Sequence, residues 1–285
     1  MLTKNSSLRT VFSGVDFSKY SSKTSEFVSE FSSRANKEGK FLNWVNLPQE
    51  QLKRLDDIYS LASKLKAQTG VNKLSVMGIG GSKHTVEHML GINGLNINSD
   101  SIFFYSDVDS ISLARFLHKL GNDVLSSNYL IASKSGSTFE TKDGFLRIQK
   151  MLEDAYMAKG QSEEEAKKSA AKHFIAVTDK NAEKSELRRT SNENGWLGDL
   201  FIHDDVGGRF SAFDDHALFT LAFAGMKQED MASMLRSAQE ISSQSLSADL
   251  EINDALKEGI FWADAKLNGI AASVHQYMGS MFENT

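Results

Sequence analysis

Two short loops of this 285-residue chain are rich in glycine and hydroxyl-bearing residues. The first is Gly78-Ile79-Gly80-Gly81-Ser82, directly after the apolar run Leu74-Ser75-Val76-Met77. The second is Ser133-Lys134-Ser135-Gly136-Ser137-Thr138, directly after Tyr129-Leu130-Ile131-Ala132. Each stands where a short buried strand ends and a helix is about to begin. A helix N-terminus offers unpaired N–H groups and the positive end of the helix dipole, so it favours an anion. Small side chains let a phosphate reach the backbone, and Ser and Thr hydroxyls add donors. Two such loops at one edge of a sheet read as a phosphate site.

A third element is Val206-Gly207-Gly208-Arg209-Phe210-Ser211. Its glycines bring the backbone close to a neighbour. Arg209 suits an oxyanion, because its charge is permanent and its donors are forked. Glu140 falls in the first turn of the helix after the second loop, where the dipole favours a carboxylate; a structural role is as well founded there as a catalytic one.

Plainer readings stand beside these. The first loop alone could be a tight turn, since glycine marks turns. It also falls short of the dinucleotide fingerprint G-x-G-x-x-G, whose third glycine is replaced by Lys83. A nucleotide-binding dehydrogenase is therefore disfavoured. The third element could be a hinge whose arginine pairs with Asp204, Asp205 or Asp214. His84 and His88 have helical spacing but no evident third partner, so no metal site is expected. His216, after Asp214-Asp215, reads as a solvated helix residue. The second loop is the most telling, because ligands of open α/β sheets bind beyond the carboxyl ends of the strands.

The flanking pattern supplies the frame. Lys73–Met77, Ser101–Tyr105, Tyr129–Ala132, His173–Thr178 and Leu200–Ile202 read as strands. Helical spacing is expected over Gln49–Thr69, His84–Leu90, Ser110–Leu120 and Phe139–Lys159. Strands separated by helices imply βαβ units, a parallel sheet and a three-layer αβα sandwich. Further helices are expected over Ala212–Ala224, Met231–Ser247 and Asn253–Gly269. The expected organisation is a helical N-terminal arm over 1–69, a sheet domain over 70–205, and the helical opening of a second domain over 206–285.

Composition narrows the classes. The net charge of −5 comes with scattered Lys and Arg, which argues against a nucleic-acid surface. The absence of cysteine excludes disulfides, thiol catalysis and Cys-ligated metals. No run approaches the ~20 apolar residues of a membrane span. The N-terminal residues lack an apolar stretch of signal-peptide length. A cytoplasmic protein is the expectation.

Taken together, GIGGS, SKSGSTFET and VGGRFS, in this order, resemble the glucose-6-phosphate isomerase family. Gly259-Ile260-Phe261-Trp262-Ala263-Asp264-Ala265-Lys266 resembles the helix that follows them there. The likeness covers about residues 70 to 275. It implies a flavodoxin-like sugar-isomerase (SIS) sheet and interconversion of glucose 6-phosphate and fructose 6-phosphate through a cis-enediol. By the same likeness, Ser82, Ser133, Ser135 and Thr138 hold the sugar phosphate, with the Gly81 and Lys134 backbone nearby. Arg209 stabilises the enediol charge, and Glu140 lines the site. The family needs no metal or organic cofactor, and it works as a homodimer. Its base is a glutamate in a Glu-Ser-x-Gly-Lys-like segment. The ending Met281-Phe282-Glu283-Asn284-Thr285 does not match that segment, so Glu283 is a poor candidate, and a chain cut within its second domain is expected. A sugar-phosphate-binding module without turnover is the alternative.

Overall fold

The computed structural model describes residues 14–35, 37, 39–92, 95–198 and 200–270. Glu283 lies outside them. The chain opens with α1 (Thr24–Ala35), α2 (Leu47–Leu52) and α3 (Leu55–Thr69). It then alternates: β1 (Leu74–Met77), α4 (Gly81–Leu90), β2 (Ile102–Tyr105), α5 (Ser110–Lys119) and β3 (Asn128–Ala132). There follow α6 (Phe139–Ala158), α7 (Glu163–Ala171), β4 (Phe174–Thr178), α8 (Glu186–Glu193) and β5 (Leu200–Phe201). Three helices close the described chain: α9 (Asp215–Phe223), α10 (Gln228–Ser245) and α11 (Asp254–Leu267).

The five strands form one parallel sheet in the order β2-β1-β3-β4-β5. Strand order reverses between β1 and β3. Their two outgoing loops are GIGGS and SKSGST, so both expected anion loops flank the crevice where such sheets bind ligands.

Side chains alternate across the strands and feed two apolar clusters. Leu74, Val76, Leu130, Ala132, Ile175 and Val177 face one cluster, shared with Ile58 and Leu65 of α3 and Leu218, Phe219 and Phe223 of α9. Met77, Tyr129, Ile131, Phe174 and Ala176 face the other, shared with Phe116 of α5, Phe145 and Ile148 of α6 and Trp196. Helices thus cover both faces of the sheet, which is the three-layer sandwich expected from the alternation.

The first cluster spans both expected domain borders. α3, placed in the arm, and α9, placed at the head of a second domain, fill one core with β1, β3 and β4. All nine residues of α9 are buried. A helix that is apolar on every side belongs inside a core.

Other differences are local. The helix expected over Gln49–Thr69 is two helices, broken at Lys53-Arg54. α7 and α8 are additional to the expected helices, although each carries a start signal. Ser162 and Glu165 form a reciprocal capping box, and the Ser185 side chain accepts from the Arg188 N–H.

Candidate functional site

The second loop holds its own shape. The Ser133 hydroxyl accepts from the Gly136 N–H at 3.1 Å and shares a hydrogen bond with the Thr138 hydroxyl at 3.1 Å. The Ser135 hydroxyl accepts from the Ser137 N–H at 3.2 Å and meets the Ser137 hydroxyl at 2.6 Å. The Lys134 carbonyl accepts from the Thr178 hydroxyl at 2.9 Å and from the Asp179 N–H at 3.2 Å, tying the loop to the end of β4. Gly136 has φ +77°, and a Cβ there would lie 2.3 Å from the Leu187 nitrogen, so only glycine fits. Thr138 is the N-cap of α6, yet its side chain caps nothing. The first N–H groups of α6 are left for another acceptor.

The first loop depends on outside support. A Cβ on Gly81 would lie 2.0 Å from the Gly208 carbonyl oxygen, so the GIGGS and VGGRFS loops touch backbone to backbone. Among the described residues, the Gly81 and Ser82 N–H groups have no hydrogen-bond partner. Thr85, one turn on, donates its hydroxyl to the Gly81 carbonyl at 2.5 Å. Nε2 of His216 lies 3.2 Å from that hydroxyl.

Between the three loops lies a cavity of about 300 Å³. It brings together Gly81, Ser82, Ser133, Lys134 and Thr138 of the expected set, with Gly207, Gly208, Ser211 and His216. Ser135, Glu140 and Arg209 lie outside its lining. Ser135 is exposed in the same loop, and Glu140 is half-buried at the start of α6. Arg209 is exposed on the turn Gly208–Phe210, beside the cavity.

The ion pair considered for Arg209 does not form. Asp204 pairs instead with Lys134 at 3.0 Å. Asp205 accepts from the Gly39 N–H at 2.5 Å, and Asp214 pairs with His203. Among the described residues, the Arg209 side chain has no hydrogen-bond or ion-pair partner.

The turn that carries Arg209 is clasped by the N-terminal segment. Leu42 bridges Val206 antiparallel, and the Asn43 N–H donates to the Asp205 carbonyl at 3.0 Å. Trp44 stacks on Phe210, with ring centroids 5.2 Å apart.

His216 corrects the sequence reading. It is buried, at 1% exposure, not solvated. Burial pushes its ring pKa down, against the pull of Asp214, Asp215 and the Gly81 backbone. The apolar run Ala217–Ala224 is the signal in the sequence: its first turn has to be buried with the rest.

Behind His216 sits a paired network. His203 Nδ1 lies 2.6 Å from Asp214, and Arg54 grips both oxygens of Asp215 at 2.6 Å. Burial disfavours both charges of the first pair, but their mutual hydrogen bond prevails. It holds Asp214 below its ordinary pKa and His203 above. The side-chain ligand atoms of His203, Asp214 and Asp215 lie within 4.8 Å of one another, as a metal site would require. Their oxygens are already engaged: Asp215 also accepts from Gln51 and the Phe201 N–H, and Asp214 from the His203 and Asp215 N–H groups. The cluster reads as the brace of α9 rather than a metal centre.

Comparison with known proteins gives the family. The phosphoglucose isomerase family model matches residues 38–276. The chain belongs to the phosphoglucose isomerase family. Glucose-6-phosphate isomerase of Mycoplasmopsis pulmonis is 29% identical over 226 residues, covering 78% of this chain and 49% of that protein. The Acetivibrio thermocellus enzyme of the same name is 30% identical over 231 residues, covering 76% and 47%. The chain thus spans about half the length of these curated relatives. Two solved structures share the fold. A hypothetical protein of Thermus thermophilus aligns with a TM-score of 0.71 at 24% identity, over 88% of this chain and 55% of that one. A glucose-6-phosphate isomerase of Chlamydia trachomatis aligns with a TM-score of 0.65 at 22% identity, over 88% and 49%. Among the described residues, no helix is long and apolar enough to cross a membrane.

Proposed function

We propose that this chain supplies the sugar-phosphate anchor and the oxyanion arginine of an aldose–ketose isomerase acting on glucose 6-phosphate and fructose 6-phosphate. The observation that carries the reading is the cavity in which the starts of α4 and α6 meet, lined by Ser82, Ser133 and Thr138. Such a cavity matches a dianionic phosphate: free N–H groups, two helix dipoles and hydroxyl donors converge on it.

Isomerisation moves a proton between C2 and C1 of the opened sugar through an enediol. Phosphate binding far from those carbons orients the reacting end. Arg209, unpaired beside the cavity, meets the charge that develops on the enediol oxygen. Glu140 lines the approach from the start of α6. The proton-abstracting carboxylate is assigned to none of the described residues. SIS-type recognition, a homodimeric assembly and a cytoplasmic setting belong to the same reading.

The test has two arms. In the first, fructose 6-phosphate binding to the 285-residue chain is measured by calorimetry. In the second, its turnover is read through a coupled dehydrogenase. Binding is the expected result, and any turnover should be abolished by Arg209→Ala. Absence of binding by a folded chain would overturn the anchor. Binding without turnover would favour a sugar-phosphate-binding module, the second reading, which the position of Arg209 outside the cavity lining supports.

A further inference from the structure

The loops account for most of the cavity's lining but not for the buried histidine that also borders it. His216 is enclosed, and among the described residues its Nδ1 has no hydrogen-bond partner. It sits 131 residues from Thr85 in sequence, yet its Nε2 lies 3.2 Å from the Thr85 hydroxyl.

The direction of this chain of bonds follows from counting protons. A threonine hydroxyl has one hydrogen. That hydrogen goes to the Gly81 carbonyl, at 2.5 Å. The hydroxyl oxygen is therefore an acceptor toward His216, and Nε2 of His216 must carry the ring proton. Nδ1 is then bare, so a neutral ring needs only one buried partner. A buried ring without a partner on Nδ1 favours that neutral form. Gly81 is also where GIGGS meets VGGRFS backbone to backbone, and its N–H is among the free donors of α4.

We propose that His216 is a positioning residue of the anion site: through Thr85 it fixes the Gly81 peptide, and so aims the Gly81 and Ser82 N–H groups into the cavity. It rests on the reading of that cavity as a phosphate anchor. His216 borders the same cavity from α9, and its part is to order the turn that holds the phosphate.

The experiment compares variants that keep or remove the donor. His216→Gln can place an N–H near the position of Nε2, and His216→Leu cannot. Thr85→Ser keeps the hydroxyl, and Thr85→Val removes it. Inorganic phosphate binding is measured by calorimetry on the folded chain, with amide hydrogen exchange at His84 and Thr85 as a second readout. The expected result is a loss of about tenfold in phosphate affinity for Leu and Val, with Gln and Ser within about threefold of the native chain. Exchange in the first turn of α4 should rise in Leu and Val alone. Native affinity in His216→Leu would overturn the proposal, as would equal losses in Leu and Gln, which would mark a role of bulk. If His216→Leu fails to fold, the Thr85 pair decides the question in the same way. If the native chain binds no phosphate, the anchor reading fails by itself. Exchange then decides for His216: faster exchange in Leu and Val supports positioning, and unchanged exchange overturns it.

Discussion

The two anion loops reach similar ends by different means. SKSGST is tied to the end of β4 but is also held by its own hydroxyls: Ser133 and Ser135 each accept an N–H from within the loop. GIGGS has no such internal brace among the described residues. It is shaped from outside, by Gly208 against Gly81 and by His216 through Thr85. The first kind of loop needs a local sequence. The second needs a finished fold, because its supports arrive more than a hundred residues later in the chain. The donors of GIGGS should therefore respond to distant substitutions, and those of SKSGST to substitutions within the loop.

The sharpest way to break this contrast is at the backbone contact. Gly81→Ala should cost ~3 kcal/mol of stability, read from urea unfolding, because the new Cβ meets a carbonyl rather than a flexible side chain. Phosphate binding should be lost with it. A variant as stable as the native chain would show that the two loops are free to part.

Next come the hydroxyls of the second loop. Ser135→Ala and Thr138→Ala should each weaken fructose 6-phosphate binding by about 1.5–3 kcal/mol, roughly ten- to a hundredfold, if each hydroxyl donates to a charged acceptor. Ser135 lies outside the cavity lining, so a loss at Thr138 alone would narrow the anchor to the lined residues.

The histidines give a smaller, signed effect. His216 has its pKa lowered from 6.5. The unfolded chain then binds more protons, so stability from this group is full above about pH 6.5 and is lost as pH falls toward the folded pKa. His203 is raised by Asp214, so its contribution is full below about pH 6.5 and is lost as pH rises through the folded value. His173 is also lowered by burial and shares the sign of His216. Urea midpoints between about pH 5 and 8 should show His216→Gln losing part of the acid-side decline and His203→Gln losing part of the alkaline-side decline. Matching profiles in the two variants would remove the distinction.

Least affected should be Lys134→Ala. Its pair with Asp204 is open to water, with side-chain exposures of 42% and 66%, so global stability should move by less than ~1 kcal/mol. A larger drop would mean that the pair adds to the ties the second loop already makes to the end of β4.

The same contrast explains what is legible in the sequence. Strand alternation exposes the sheet, since Leu130 and Ala132 face one cluster while Tyr129 and Ile131 face the other. SKSGST is legible because its composition is also its scaffold. Borders at residues 69 and 205 follow a change of pattern, yet α3 and α9 pack on one face of one sheet. Local pattern carries no record of which helix returns to which face. His216 misleads for that reason: an ionisable residue after two aspartates looks solvated until the helix it opens is seen to be wholly buried. Asp214 and Asp215 are equally opaque, because their partners His203 and Arg54 sit on other elements.

Whether the two helix starts bind one phosphate is tested most directly by calorimetric titration of the folded chain with fructose 6-phosphate, beside fructose. The titration is made on the native chain and on a Ser133→Ala, Thr138→Ala double variant. The predicted result is binding that requires the phosphate and falls at least about tenfold in the double variant. Equal affinity for fructose and fructose 6-phosphate, or an unchanged double variant, would contradict a shared phosphate site.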